Sequence, residues 1–107
     1  MHKESKIYSA LSLCRRAGKL AMGFDPVADN VARGKAWLVL LAEDLSPKTK
    51  KRVLAYCEDM VPVYTMPLTQ SDLVPITRKP VGVYAVLDEN MAVLCTGSLE
   101  TKEEISE

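Results

Sequence analysis

The sequence predicts an α/β protein, a three-layer α/β/α sandwich around a mixed sheet of about four strands. Two apolar runs, Ala36-Trp37-Leu38-Val39-Leu40-Leu41-Ala42 and Val81-Gly82-Val83-Tyr84-Ala85-Val86-Leu87, lack the alternation of a half-solvated strand, as strands covered on both faces do. Helical stripes with apolar residues three and four apart alternate with these runs along the chain. The length of 107 residues, 48% apolar and 26% charged, fits one domain over 1–107, without linkers or repeats.

The elements follow in order. Ile7, Ala10, Leu11, Cys14 and Ala17 form one apolar stripe, which predicts a helix from about Ser5 to Ala17. Arg15 and Arg16 lie in its last turn, and Gly18 supplies the left-handed residue that stops it. Leu20-Ala21-Met22 is at most a short strand. Asp25-Pro26 reads as a helix start, Asp as the cap and Pro at the first helical position. Val27 and Val31 then face inward, and Gly34 ends that helix. Ser46-Pro47 repeats the signature ahead of a basic stretch, Lys48, Lys50, Lys51 and Arg52, with Val53, Leu54 and Cys57 turned inward. Val61 to Met66 is a strand that Pro62 assigns to an edge or an end. Thr69-Gln70-Ser71-Asp72-Leu73 starts a short helix that Pro75 is expected to break. A last helix spans about Asn90 to Leu99, and residues 101–107 are expected to be a frayed acidic end.

Composition excludes several classes. Cys14, Cys57 and Cys95 are odd in number and form no C-x-x-C pair, so they read as small apolar residues in a reducing compartment. The sequence has neither a secretory leader nor an apolar run near the about 18 residues that span a bilayer, so a cytoplasmic protein with no membrane partner is expected. Net charge is zero, yet it is unevenly placed. Asp88, Glu89, Glu100, Glu103, Glu104 and Glu107 against Lys102 give the tail −5, leaving +5 on residues 1–87. Such asymmetry also arises by chance on solvated faces.

Catalytic chemistry is sparse. His2 is the only histidine and lies at a terminus, and the G-x-S-x-G, G-x-x-x-x-G-K-[ST] and G-x-G-x-x-G patterns are absent. Glu43-Asp44 ends a buried strand, where α/β proteins often bind ligands, but acids there more commonly serve loop polarity or a helix start. No enzyme activity, metal or cofactor is expected. The basic residues are the alternative carriers of function: Arg15, Arg16 and Lys19 around the first helix end, Arg33 and Lys35 beside Gly34, and Arg78 with Lys79 before a strand. Phosphate contacts from Lys and Arg dominate nucleic-acid affinity, and a helix start adds backbone donors. Any single one of them reads more readily as a solvated surface charge.

Ordered motifs sharpen this. Leu11-Ser12-Leu13-Cys14-Arg15-Arg16-Ala17-Gly18-Lys19-Leu20-Ala21-Met22-Gly23, then Val31-Ala32-Arg33-Gly34-Lys35-Ala36, then Leu38-Val39-Leu40-Leu41-Ala42-Glu43-Asp44-Leu45-Ser46-Pro47-Lys48-Thr49, resemble in order and spacing the small bacterial, YlxQ-type members of the ribosomal L-seven-Ae and L-thirty-e family of kink-turn RNA-binding proteins. The likeness continues weakly through Lys79-Pro80-Val81-Gly82-Val83 to the last helix. It implies the same α/β/α sandwich and, as partner, structured RNA such as ribosomal or other kink-turn-like RNA, with ribosomal or other RNA-associated proteins nearby.

The chain departs from the family pattern at its contact residues. Where kink-turn binders carry Asn-Glu and, three residues after the Glu, a Lys, this sequence has Asp25, Pro26 and Asp29. A donor amide and a phosphate-seeking cation are thus replaced by acids, which weakens kink-turn recognition. In the second contact loop the family glycines give way to Leu73-Val74 and Thr77-Arg78, and without glycine a different loop shape is expected. The expected interface comprises Lys19, Gly23, Phe24, Asp25, Pro26, Asp29, Arg33, Arg78 and Lys79, with Phe24 either stacking on a base or stapled against the following helix. Two alternatives stand beside it: a protein-interaction module that has lost kink-turn binding, favoured by Asp25 and Asp29, and, more distantly, a small hydrolase using Glu43 and Asp44 or a cysteine.

Overall fold

A computed structural model of the chain describes residues 6–58 and 60–106, with side-chain surroundings for 6–58 and 60–99. His2 and Ser5 lie outside the described residues. Helices and strands alternate as α1 (Lys6–Arg16), β1 (Leu20–Met22), α2 (Phe24–Ala32), β2 (Leu38–Leu41), α3 (Pro47–Cys57), β3 (Val63–Thr65), α4 (Gln70–Thr77), β4 (Val83–Val86) and α5 (Glu89–Ser106). The sheet has the order β1-β4-β2-β3. β4 runs antiparallel to both β1 and β2, while β3 pairs parallel with β2, so the sheet is mixed. Pro62 does mark an edge strand: it precedes β3, and its carbonyl accepts the Val39 N–H at 2.9 Å.

The strand pleat sorts the core into two layers. Leu38 and Leu40 of β2 with Tyr84 and Val86 of β4 pack against Ile7, Leu11 and Cys14 of α1, Leu73 and Ile76 of α4, and Cys95 of α5. The alternate residues, Val39, Leu41, Val83 and Ala85, pack against Val27 and Val31 of α2 and Val53 and Cys57 of α3. Every residue of β2 and β4 is buried, which is why neither sequence alternates. Each fully buried branched side chain contributes about 1.5–3 kcal/mol, whereas a helix cap contributes about 1 kcal/mol. Packing on the two faces therefore dominates stability. Tyr84 carries its hydroxyl into the first layer and donates it to the Val81 carbonyl. Burial first, and the Asp44 carboxylate second, raise its pKa.

Glycines stop the helices where the sequence reading expects them. Gly18 at φ 71 lets Lys19 N–H reach the Cys14 carbonyl at 2.9 Å, and Gly34 at φ 73 lets Lys35 N–H reach Asn30 at 2.9 Å, the same closure twice. Ser46 caps α3, its hydroxyl oxygen accepting the Thr49 N–H at 3.2 Å, with Pro47 behind it.

Four expectations are corrected. Leu54 points outward at 45% exposure, since only the i, i+4 pair Val53 and Cys57 faces the sheet. Pro75 does not break α4, which runs on to Thr77. The N–H that Pro lacks would have served the carbonyl of Ser71, and both residues are solvent-exposed, so that carbonyl is not left without a partner in a dry interior. β3 is shorter than the apolar run that announced it. α5 begins at Glu89 and continues through Ser106, past the expected end at Leu99.

Candidate nucleic-acid interface

Two segments meet at one end of the sheet. The first is the start of α2. Gly23 sits at φ 100 and ψ 154, a conformation left almost wholly to glycine. Its N–H extends the β1–β4 pairing to the Val83 carbonyl at 2.9 Å, and its carbonyl accepts the first helical bond from Val27 at 3.1 Å. The chain passes from strand to helix within this one residue. Gly23, not Asp25, is therefore the cap, and no side chain caps this helix. Asp25 instead falls in the first turn, where its charge faces the positive helix end, with Pro26 one position later.

The side chains behind Gly23 are held by their own neighbours. Asn30 Nδ2 donates to the Pro26 carbonyl at 2.8 Å. Asp29 pairs with Arg33 one turn on at 3.1 Å, both more than half exposed, so this pair contributes only about 0.3–0.5 kcal/mol. Phe24 is half-buried. The Arg52 guanidinium lies 4.2 Å from its ring centroid and Tyr56 meets it edge-on at 6.2 Å. Its staple partner is thus α3 rather than α2, and one ring face is occupied by Arg52.

The second segment follows α4. Thr69 and Asp72 form a reciprocal capping box at its start, and Asp44 accepts the Gln70 N–H at 3.0 Å. Asp44 thus serves a helix start, that of α4 rather than of the nearer α3. At the other end Arg78 takes φ 72 and ψ −2, and its N–H reaches the Val74 carbonyl at 2.7 Å. Arginine itself adopts the left-handed conformation here, so positive φ is present in this turn without glycine. That costs about 1–2 kcal/mol. The turn is held from inside by Thr77, only 2% exposed, whose hydroxyl lies 2.5 Å from the Lys79 carbonyl and 3.1 Å from that of Leu73. Gly82 then permits a close approach, because a Cβ there would stand 2.6 Å from Leu45 Cδ1. The Gly23–Val83 hydrogen bond joins this segment to the start of α2.

Not all the expected residues gather here. Lys19 enters β1 at the opposite end of the sheet, where its carbonyl accepts the Leu87 N–H at 2.9 Å and Leu20 pairs with Val86. Arg33 caps the far end of α2. Conversely, Arg15 and Arg16 of α1, outside the expected interface, line a cleft with Ser12, Pro75, Ile76 and Arg78. The sequence contains the Arg15-Arg16 pair, but nothing local says that the last turn of α1 packs against α4.

Other chemistry is accounted for. All three cysteines are buried and unpaired by disulfides. The Cys14 and Cys95 sulfurs are 3.9 Å apart, and this contact lowers the Cys14 pKa while raising that of Cys95. Burial pushes the Cys57 thiol up. Among the described residues no three His, Cys, Asp or Glu side chains are grouped to hold a metal, and no helix is long and apolar enough to cross a membrane.

The model for the ribosomal protein L7Ae/L30e/S12e/Gadd45 family matches residues 5–95. The chain belongs to this family. Among relatives, the RNA-binding protein YlxQ of Enterococcus faecium is 29% identical over 91 residues, 81% of this chain and 84% of that protein. A Bacillus halodurans protein of unknown function superposes with a TM-score of 0.83 at 28% identity, covering 91% of this chain and 99% of that one. The Giardia lamblia 15.5kD RNA binding protein superposes with a TM-score of 0.72 at 18% identity, covering 92% and 86% respectively. At that identity the likeness is one of fold. The L7Ae-family match takes in both segments of the candidate interface.

Proposed function

We propose that the chain binds structured RNA in a ribosomal or other ribonucleoprotein setting in the cytoplasm, without catalysing a reaction. The surface is the start of α2, Gly23 to Asp29, together with Arg78 and Lys79. The observation that carries this reading is the Gly23–Val83 hydrogen bond, which fastens the strand-to-helix turn beside the α4–β4 segment. Membership of a family of ribosomal proteins and the RNA-binding name of the YlxQ relative support the same reading.

Base-specific recognition is the weaker part of this activity. Asp25 cannot donate to a base edge as an amide would, and Asp29 offers phosphate a like charge. Phosphate contacts from the basic segment supply most of the affinity. A protein-interaction role on the same surface is the second reading, and the Asp25 and Asp29 carboxylates favour it.

Replacing Arg78 and Lys79 together with Ala is expected to weaken binding to a structured RNA and flatten the plot of log affinity against log salt by about 1.4–1.8, at about 0.7–0.9 per phosphate contact. An unchanged isotherm removes the segment from the interface.

A further inference from the structure

Arg15 and Arg16 are unused by the surface just described, yet they share a cleft of about 440 Å³ with Arg78, walled by Ser12, Pro75 and Ile76. All three arginines are exposed. Among the described residues none of the three has a carboxylate within ion-pair distance, whereas Arg33 is paired with Asp29. Three like charges gathered without an acid repel one another, and a fold selected for stability alone has reason to disperse or pair them. Arg78 reaches the cleft from a left-handed backbone that glycine would occupy without strain. Strain and repulsion thus coincide at one place, the combination found where side chains are held for a ligand.

We infer that this cleft between α1 and α4 is a second phosphate-binding site, which takes the RNA backbone leaving the α2 surface. The inference rests on the RNA-binding reading and extends it to a different helix. Guanidinium groups present planar forks of N–H donors that match phosphate oxygens in pairs, and the Ser12 hydroxyl adds another donor to the same wall. Pro75 and Ile76 provide a rigid, largely apolar wall that carries no competing acceptor side chain. Lys79 follows Arg78 directly, and five residues on from Arg78, Val83 accepts the Gly23 N–H, so a short run of chain leads from the cleft to the first surface. Contacts of this kind position RNA without reading its sequence.

The test is a salt series of binding isotherms for the whole chain with one structured RNA, comparing the parent with Arg15→Gln/Arg16→Gln, Arg15→Lys/Arg16→Lys and Arg78→Gly. The Gln pair is expected to bind about tenfold or more weakly near physiological salt, with the salt slope reduced by about 1.4–1.8, and the Lys pair to keep the slope. Arg78→Gly is expected to melt a few degrees higher, because the strain is relieved, while binding RNA more weakly. That opposition separates loss of a contact from loss of the fold. If the parent binds and both the Gln pair and Arg78→Gly match it in affinity and slope, the cleft is not an RNA site although the α2 surface stands. If the parent binds no RNA, the underlying reading and the cleft's ligand fall together.

Discussion

At the start of α2 a glycine holds φ 100 and the side chains behind it, Asp25 and Asp29, are acidic; at the end of α4 an arginine holds φ 72 and the next residue is basic. The Gly23–Val83 hydrogen bond ties the first to the start of β4, five residues beyond the second, and the two hold their positive-φ backbone by opposite means. At the first, glycine leaves the geometry unstrained and the chemistry inverted relative to the pattern that the sequence resembles. At the second, an arginine stands where that pattern has a glycine, Thr77 is anchored beneath the turn, and a cation occupies the strained position. Backbone geometry and side-chain chemistry can thus change independently within one surface. Recognition through shape and phosphates survives such changes more readily than recognition of bases.

The largest expected effect falls on the glycine side. Gly23→Ala forces a Cβ into a conformation that side chains rarely adopt, so denaturant unfolding is expected to show a loss of about 1–3 kcal/mol. Its midpoint should fall while the Arg78→Gly variant's rises. A neutral Gly23→Ala result means that the strand-to-helix turn relaxes easily, and the contrast between the two segments disappears. A smaller effect belongs to the acids. Asp25→Asn with Asp29→Lys restores a donor and a cation, and is expected to tighten binding to a kink-turn RNA by about tenfold at a stability cost under about 0.5 kcal/mol from the lost Asp29–Arg33 pair. No gain in affinity means that something other than these carboxylates limits recognition.

Much of this architecture is legible in the sequence because the signals are local or strongly periodic. The unalternating runs that contain β2 and β4 reveal burial on both faces, and Gly18, Gly34, Ser46-Pro47 and Thr69 mark helix ends through bonds made within a few residues. The misread points depend on distant partners. Asp25 has the composition of a cap, but Gly23 is bound to Val83, sixty residues away, and starts the helix early. Pro75 is a breaker in sequence but harmless on an exposed face. Phe24 needs Arg52 and Tyr56 of α3 before its role is defined. The candidate interface is half legible for the same reason. Gly23, Phe24, Asp25 and Pro26 fall together at the start of α2 and Arg78 and Lys79 at the end of α4, while Lys19 and Arg33 are carried elsewhere. The Arg15-Arg16 pair acquires meaning only through the packing of α1 on α4.

The most direct test is the affinity of the unmodified chain for a standard kink-turn RNA and for an unstructured RNA of equal length, each across a salt series. Binding with a steep salt dependence and a kink-turn preference of less than about tenfold is expected, because phosphate contacts outweigh base contacts in the proposed surface. Failure to bind either RNA at low salt contradicts it, as does a kink-turn preference of several orders of magnitude.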